Sequence, residues 1–146
     1  MKQVIDALRA NRGQAVAEMI ELVRIPSISP GLPHPDAITA AADWLEQRLR
    51  RSGMDEVRQL VVDDHNPVVW ARKHISDDLP TVLFYGHYDV MPADPLDEWT
   101  TPPFEPEVRD GKVFGRGTAD DKGQVLMHVN AVEAYLRVKG TLPVNV

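Results

Sequence analysis

A chain of 146 residues, 43% hydrophobic and 26% charged, is long enough for one domain with a core and ordinary for a globular protein. Its net charge of -6 argues against a general nucleic-acid surface, which would need clustered Lys and Arg. Cysteine is absent, which excludes disulfides and thiolate zinc fingers, and no apolar run approaches the roughly 20 residues that span a bilayer. The N-terminus meets Asp6 too early for a signal peptide, so cytoplasm is the default expectation.

Residues from about Val4 to Ile25 are predicted helical, because Val4, Leu8, Val16, Met19, Ile20 and Val23 recur at three- and four-residue steps. Gly13 interrupts them, giving one helix with a weak point or two short ones. Pro26 ends the pattern, and four prolines with two serines make Ile25 to Pro35 a loop. A second helix is expected from Asp36 to Arg51, with Ile38, Ala41, Ala42, Leu45 and Leu49 inward and Gly53 as its stop. Strands are expected at Val57–Val62, Pro67–Arg72 and Pro80–Tyr85, the last apolar enough to be covered on both faces. Met91 to Pro106 carries five prolines and is irregular, with Trp99 and Phe104 arguing against disorder. Arg109-Asp110-Gly111-Lys112 reads as a hairpin turn. A third helix from Lys122 to Lys139 closes at Gly140, and Pro143 to Val146 opens another strand. The order predicts an α/β sandwich with a mixed sheet. Ligands gather beyond the carboxyl ends of strands in such folds, and His87 lies just past Tyr85.

Two stretches carry candidate chemistry. Gly86-His87-Tyr88-Asp89-Val90 offers an imidazole with a carboxylate two residues on. On extended backbone both point to one side, so Asp89 can accept the ring proton that a metal does not displace. A loop histidine hydrogen-bonded by a neighbouring Asp would have the same spacing. Gly115-Arg116-Gly117-Thr118-Ala119-Asp120-Asp121-Lys122-Gly123 ends a Gly-rich turn in two adjacent carboxylates at a helix start. Those acids suit a divalent cation, and equally an acidic N-cap. His34 lies between prolines, His65 sits in an acidic turn, His74 follows Arg72-Lys73, and His128 on the third helix has no carboxylate at ligand spacing; all four read as structural or solvent-facing, and Trp44 and Trp70 read as core.

These stretches, with Met91-Pro92, Trp99, Pro103-Phe104-Glu105-Pro106 and Asp110-Gly111-Lys112-Val113-Phe114, resemble the dinuclear zinc aminoacylase/carboxypeptidase family of carnosinases, bacterial dipeptidases and desuccinylases. Ile25-Pro26-Ser27-Ile28-Ser29 and Asn66-Pro67-Val68-Val69 resemble its earlier landmarks. The resemblance implies a zinc-exopeptidase-like α/β catalytic domain. By it, His87 binds one zinc and Asp120 bridges two. Asp89 belongs to the catalytic machinery by orienting His87, and the Asp120–Asp121 peptide is cis. Manganese or cobalt could replace zinc. The implied substrate is a dipeptide or N-acyl amino acid, and the complete protein is a homodimer. Asp-Asp-Lys-Gly and the His87–Asp120 separation (120 − 87 = 33) lean towards the dipeptidase branch.

The family's Glu-Glu pair, its further ligands and its lid domain have no counterpart in residues 1–146. The chain therefore reads as the N-terminal part of the catalytic domain and is expected to be inactive alone. A truncated interaction or structural module derived from the same fold is the alternative.

Overall fold

The computed structural model describes residues 1–29, 35–63 and 65–146. His34, with residues 30–33 of the proline-rich loop, lies outside them. Helices α1 (Lys2–Ala10) and α2 (Arg12–Val23) are separate. The break falls at Asn11, with φ -91° and ψ 6°, and not at Gly13, which sits in the first turn of α2. Helix α3 (Pro35–Arg51) and helix α4 (Lys122–Lys139) match the expected spans closely. Gly140 closes α4 in the left-handed region at φ 73°, its N–H donating to the Leu136 carbonyl at 2.7 Å.

The core forms where α2, α3 and α4 meet. Leu22, Ala41, Leu45 and Leu126 are buried together, and Met19, Ile25, Trp44, Val69, Tyr88 and Val125 pack around them. A buried guanidinium lies inside this layer. Arg48 of α3 is 2% exposed, and its Nε donates to Glu18 of α2 at 2.7 Å. A terminal nitrogen of Arg48 reaches Glu133 at 2.6 Å and Asn130 at 2.8 Å, both on α4. A buried guanidinium costs several kcal/mol to desolvate unless its donors are met, so the three helices are fixed in register around it.

Strands β1 (Glu56–Leu60) and β2 (Val68–Arg72) form an antiparallel pair against α3. Trp70 is half-buried there and carries Arg58 over its ring at 4.8 Å. Strands β3 (Glu107–Arg109) and β4 (Lys112–Phe114) form the expected hairpin. Asp110 and Gly111 both have positive φ, 49° and 74°, which gives the turn the twist that hairpin strands need. The long proline-rich segment holds one 3-10 turn at Leu96–Glu98, and the Trp99 indole donates to the Ala93 carbonyl at 2.7 Å.

The expected strand at Pro80–Tyr85 does not form as a paired strand. Thr81 makes a single parallel bridge to Asn145, with Val82 N–H donating to the Asn145 carbonyl at 2.8 Å. Beyond it the segment runs without ladder partners, and Leu83 and Tyr85 are 86% and 87% exposed. Pro143–Val146 is likewise only a bridge, exchanging both backbone bonds between Val146 and Lys73 at 2.8 and 2.9 Å. An apolar sequence fits a central strand, but a strand needs a neighbour to supply the ladder. Strand pairing among the described residues is thus two separate antiparallel pairs, with isolated parallel bridges at Ile28–Val90 and Thr81–Asn145. Between β2 and residues 82–86 lies an apolar groove of about 530 Å³, floored by Val125, Val129 and Val132 of α4.

Candidate active site

The polypeptide leaves the 81–85 segment at Gly86 and turns back against the start of α4. The close approach explains the glycine. A Cβ at Gly86 would lie 2.6 Å from a Val125 methyl and 2.7 Å from Oδ2 of Asp121. With no side chain in the way, the His87 N–H donates to that same Asp121 oxygen at 3.0 Å. The Gly-rich loop arrives from the other side. Gly117 takes φ 86°, and the Asp120–Asp121 peptide is cis.

These two turns bring the sequence-predicted residues together. His87 Nε2 stands 3.0 Å from Oδ1 of Asp120. On the other side of the ring, Nδ1 is 3.2 Å from Oδ1 of Asp89 and 3.1 Å from the Asp89 carbonyl. The imidazole therefore sits between two aspartates 31 residues apart in sequence (120 − 89 = 31). Burial pulls the His87 ring towards neutrality, but the Asp89 carbonyl, the Asp89 charge and Asp120 outweigh it. Its pKa is held above the ordinary value. Asp120 is 80% exposed, so it faces open space rather than the core.

Asp89 is itself held. Ser29 Oγ donates to its second oxygen, Oδ2. The neighbouring Tyr88 hydroxyl donates to the Pro67 carbonyl at 2.5 Å, and burial followed by the Asp89 charge pushes the phenol up to about 12. Lys122, directly after the aspartate pair, is fully buried. Its ammonium donates to the Leu22 carbonyl at 3.0 Å and the Ile25 carbonyl at 2.7 Å, around the C-terminal end of α2. Burial lowers Lys122 to about 8, with the Asp89 charge acting the other way.

Sequence reasoning had no role for Ser29 or for the Lys122 anchor, and it did not foresee Asp121 as an acceptor for His87 N–H. Only long-range packing reveals them. The other described histidines make no contact with His87, Asp89 or Asp120. His65 is exposed, His74 lies 3.3 Å from Asp77, and His128 stacks on Phe84 with centroids 4.5 Å apart.

One imidazole nitrogen and one carboxylate oxygen 3.0 Å apart can share a divalent ion, since bonds of about 2.0–2.2 Å put neighbouring ligand atoms at about that spacing. Among the described residues, no group of three or more His, Asp or Glu converges in ligand geometry. The donor set fits a metal in chemistry and is short of a closed site in number. No helix among the described residues is long and apolar enough to cross a membrane.

Residues 83–146 match peptidase family M20/M25/M40. The chain is 37% identical over 134 residues to cysteinylglycine-S-conjugate dipeptidase of Corynebacterium striatum, covering 92% of this chain and 29% of that protein. It superposes on the crystal structure of human carnosine dipeptidase 1 with a TM-score of 0.87 at 33% identity, covering 99% of this chain and 32% of that one. The dipeptidase Dug1p of Saccharomyces cerevisiae gives 0.86 at 27% identity, over 99% and 33%. The chain thus spans about a third of the length of these relatives, and its α/β elements are those of their catalytic domains. Residues 83–146, which carry His87 and Asp120, thus match the M20/M25/M40 peptidase family.

Proposed function

We propose that this chain is the N-terminal part of a metallohydrolase domain that cleaves the amide bond of dipeptides or N-acyl amino acids. His87 and Asp120 are ligands of a zinc site that takes two ions in a complete enzyme, and Asp89 orients His87. The reading is carried by the 3.0 Å approach of His87 Nε2 to Asp120 Oδ1, with Asp89 behind the ring. It is supported by the dipeptidase relatives, whose resemblance runs through both motifs.

Bound zinc lowers the pKa of its water towards 7 and polarises a carbonyl oxygen. The chain's own contribution is orientation. Asp89 would accept a hydrogen bond from Nδ1–H, leaving Nε2, on the side of Asp120, to bind the metal. Asp121 fixes the His87 backbone, so the ring cannot retreat from the site. A catalytic zinc normally has three protein ligands, and two are offered here. The chain alone therefore binds zinc weakly and hydrolyses nothing.

Calorimetric titration with zinc on the 146-residue chain tests this. Weak binding that disappears in both His87→Ala and Asp120→Ala is expected. Binding unchanged in both variants would remove the metal reading, and dipeptide hydrolysis by the chain alone would overturn its inactivity. A non-catalytic interaction module remains the second reading, favoured by the apolar groove beside residues 82–86. A stable monomer with no zinc affinity would select it.

A further inference from the structure

The segment Ser27-Ile28-Ser29 carries no metal ligand, yet it runs along the site. Val90 N–H donates to the Ser27 carbonyl at 2.9 Å, and Ser29 N–H to the Val90 carbonyl at 3.4 Å. Ser27 is fully buried, and its hydroxyl donates to the Tyr88 carbonyl at 2.6 Å. The segment therefore grips the residues on both sides of Asp89. Its third contact is to Asp89 itself, through the Ser29 hydroxyl on Oδ2.

The two oxygens of one carboxylate are thus divided between two partners. Oδ2 belongs to Ser29, and Oδ1 lies 3.2 Å from His87 Nδ1. A contact to histidine alone does not fix an aspartate, since either oxygen can serve and the plane can rotate. A second donor on the far oxygen removes that freedom. The donor is itself anchored, because Lys122 ties the Leu22 and Ile25 carbonyls to the start of α4. Asp89 and Asp120 are therefore both referenced to residues 22–29.

We propose that Ser29 is a positioning residue for the His87 imidazole. It touches neither metal nor substrate. It holds Asp89 so that Oδ1 faces Nδ1, which stabilises the proton on Nδ1 against the competing carboxylate of Asp120 at Nε2. The inference rests on the metal-site reading of His87 and Asp120. Two effects of the hydroxyl oppose each other. It draws charge from the carboxylate, which weakens Asp89 as an acceptor. It also prevents a carboxylate that is 38% exposed from swinging into water. The second effect dominates, because an acceptor pointing away accepts nothing, whatever its basicity.

The test is the tautomer of His87 in the 15N-labelled 146-residue chain, read from long-range proton–nitrogen correlations at a pH where the ring is neutral. The wild type should carry a measurable Nδ1–H population, because Asp89 competes for the ring proton with Asp120, whose Oδ1 is 3.0 Å from Nε2. Ser29→Ala should move population to Nε2, and Ser29→Thr should restore Nδ1. Ser29→Cys, nearly isosteric but a poor donor, should behave like alanine and serves if the alanine variant does not fold. A wild-type tautomer in a folded Ala or Cys variant overturns the proposal. Zinc titration of the same samples should show binding weakened about tenfold in Ser29→Ala. If the wild type itself binds no zinc, the metal reading fails, and the tautomer still decides the role of Ser29.

Discussion

The His87 N–H and the Asp121 carboxylate meet at 3.0 Å, which ties the end of the 81–86 segment to the first residue before α4. That bond exists because Gly86 leaves room for it. Gly86→Ala would drive a methyl into Asp121 Oδ2 and Val125. Overpacking of this kind costs about 1–3 kcal/mol. We expect a lowered denaturant midpoint together with loss of zinc binding. Gly13→Ala, which meets nothing within 4 Å in the first turn of α2, should be neutral or stabilising. Equal effects of the two substitutions on the midpoint would contradict the packing argument.

Arg48 should be the most sensitive charged residue of the fold. Its removal leaves Glu18, 7% exposed, without its charge partner and with only the Gln14 amide as a side-chain donor among the described residues. Breaking one side of a buried pair costs about 3–5 kcal/mol. Arg48→Ala should therefore destabilise the chain by that order in urea unfolding, and Glu18→Gln should recover part of the loss in the double variant. Additive losses would show that the pair is not coupled.

Acid should weaken the link between β1 and the turn after β2. Asp55 accepts from Lys73 Nζ at 2.6 Å and from the His74 N–H at 2.9 Å, and these bonds hold its carboxyl below the usual value. A depressed folded pKa means the stabilisation is present above the unfolded value of 3.8 and is lost as pH falls through the lower folded value. The Tm difference between wild type and Asp55→Asn should be present at pH 7 and vanish in strong acid. A difference independent of pH would sink this assignment.

The groove beside residues 82–86 should bind an apolar dye. Leu83, Tyr85 and Phe84 expose large side chains next to unpaired backbone. Such an edge also invites pairing between chains. Leu83→Lys should lower both dye fluorescence and self-association without lowering the unfolding midpoint. Dye binding unaffected by Leu83→Lys would place the exposed surface elsewhere.

Asp89→Ala should weaken zinc binding by about 10- to 100-fold through loss of ring orientation, with the far-ultraviolet dichroism unchanged. Wild-type affinity in that variant would make the H-x-D spacing coincidental.

The amino-acid sequence by itself determined the helices, because the apolar spacing and the stops at Gly53 and Gly140 are local signals. It determined the hairpin, since Asp110-Gly111 suits positive φ at both turn positions. It also singled out His87, Asp89 and Asp120, whose residue types and neighbours carry their chemistry in short motifs. Tertiary structure decided what those motifs could not contain. The break at Asn11 rather than Gly13 is one case, since a glycine in a first turn costs a helix little while the chain must bend where α1 leaves α2. The absence of a ladder at residues 82–85 is another, since β-structure depends on a partner and not on apolar content alone. The hold of Ser29 on Asp89 is the third. Sixty residues separate the two, and only the packing of residues 27–29 against 88–90 brings that hydroxyl to that carboxylate.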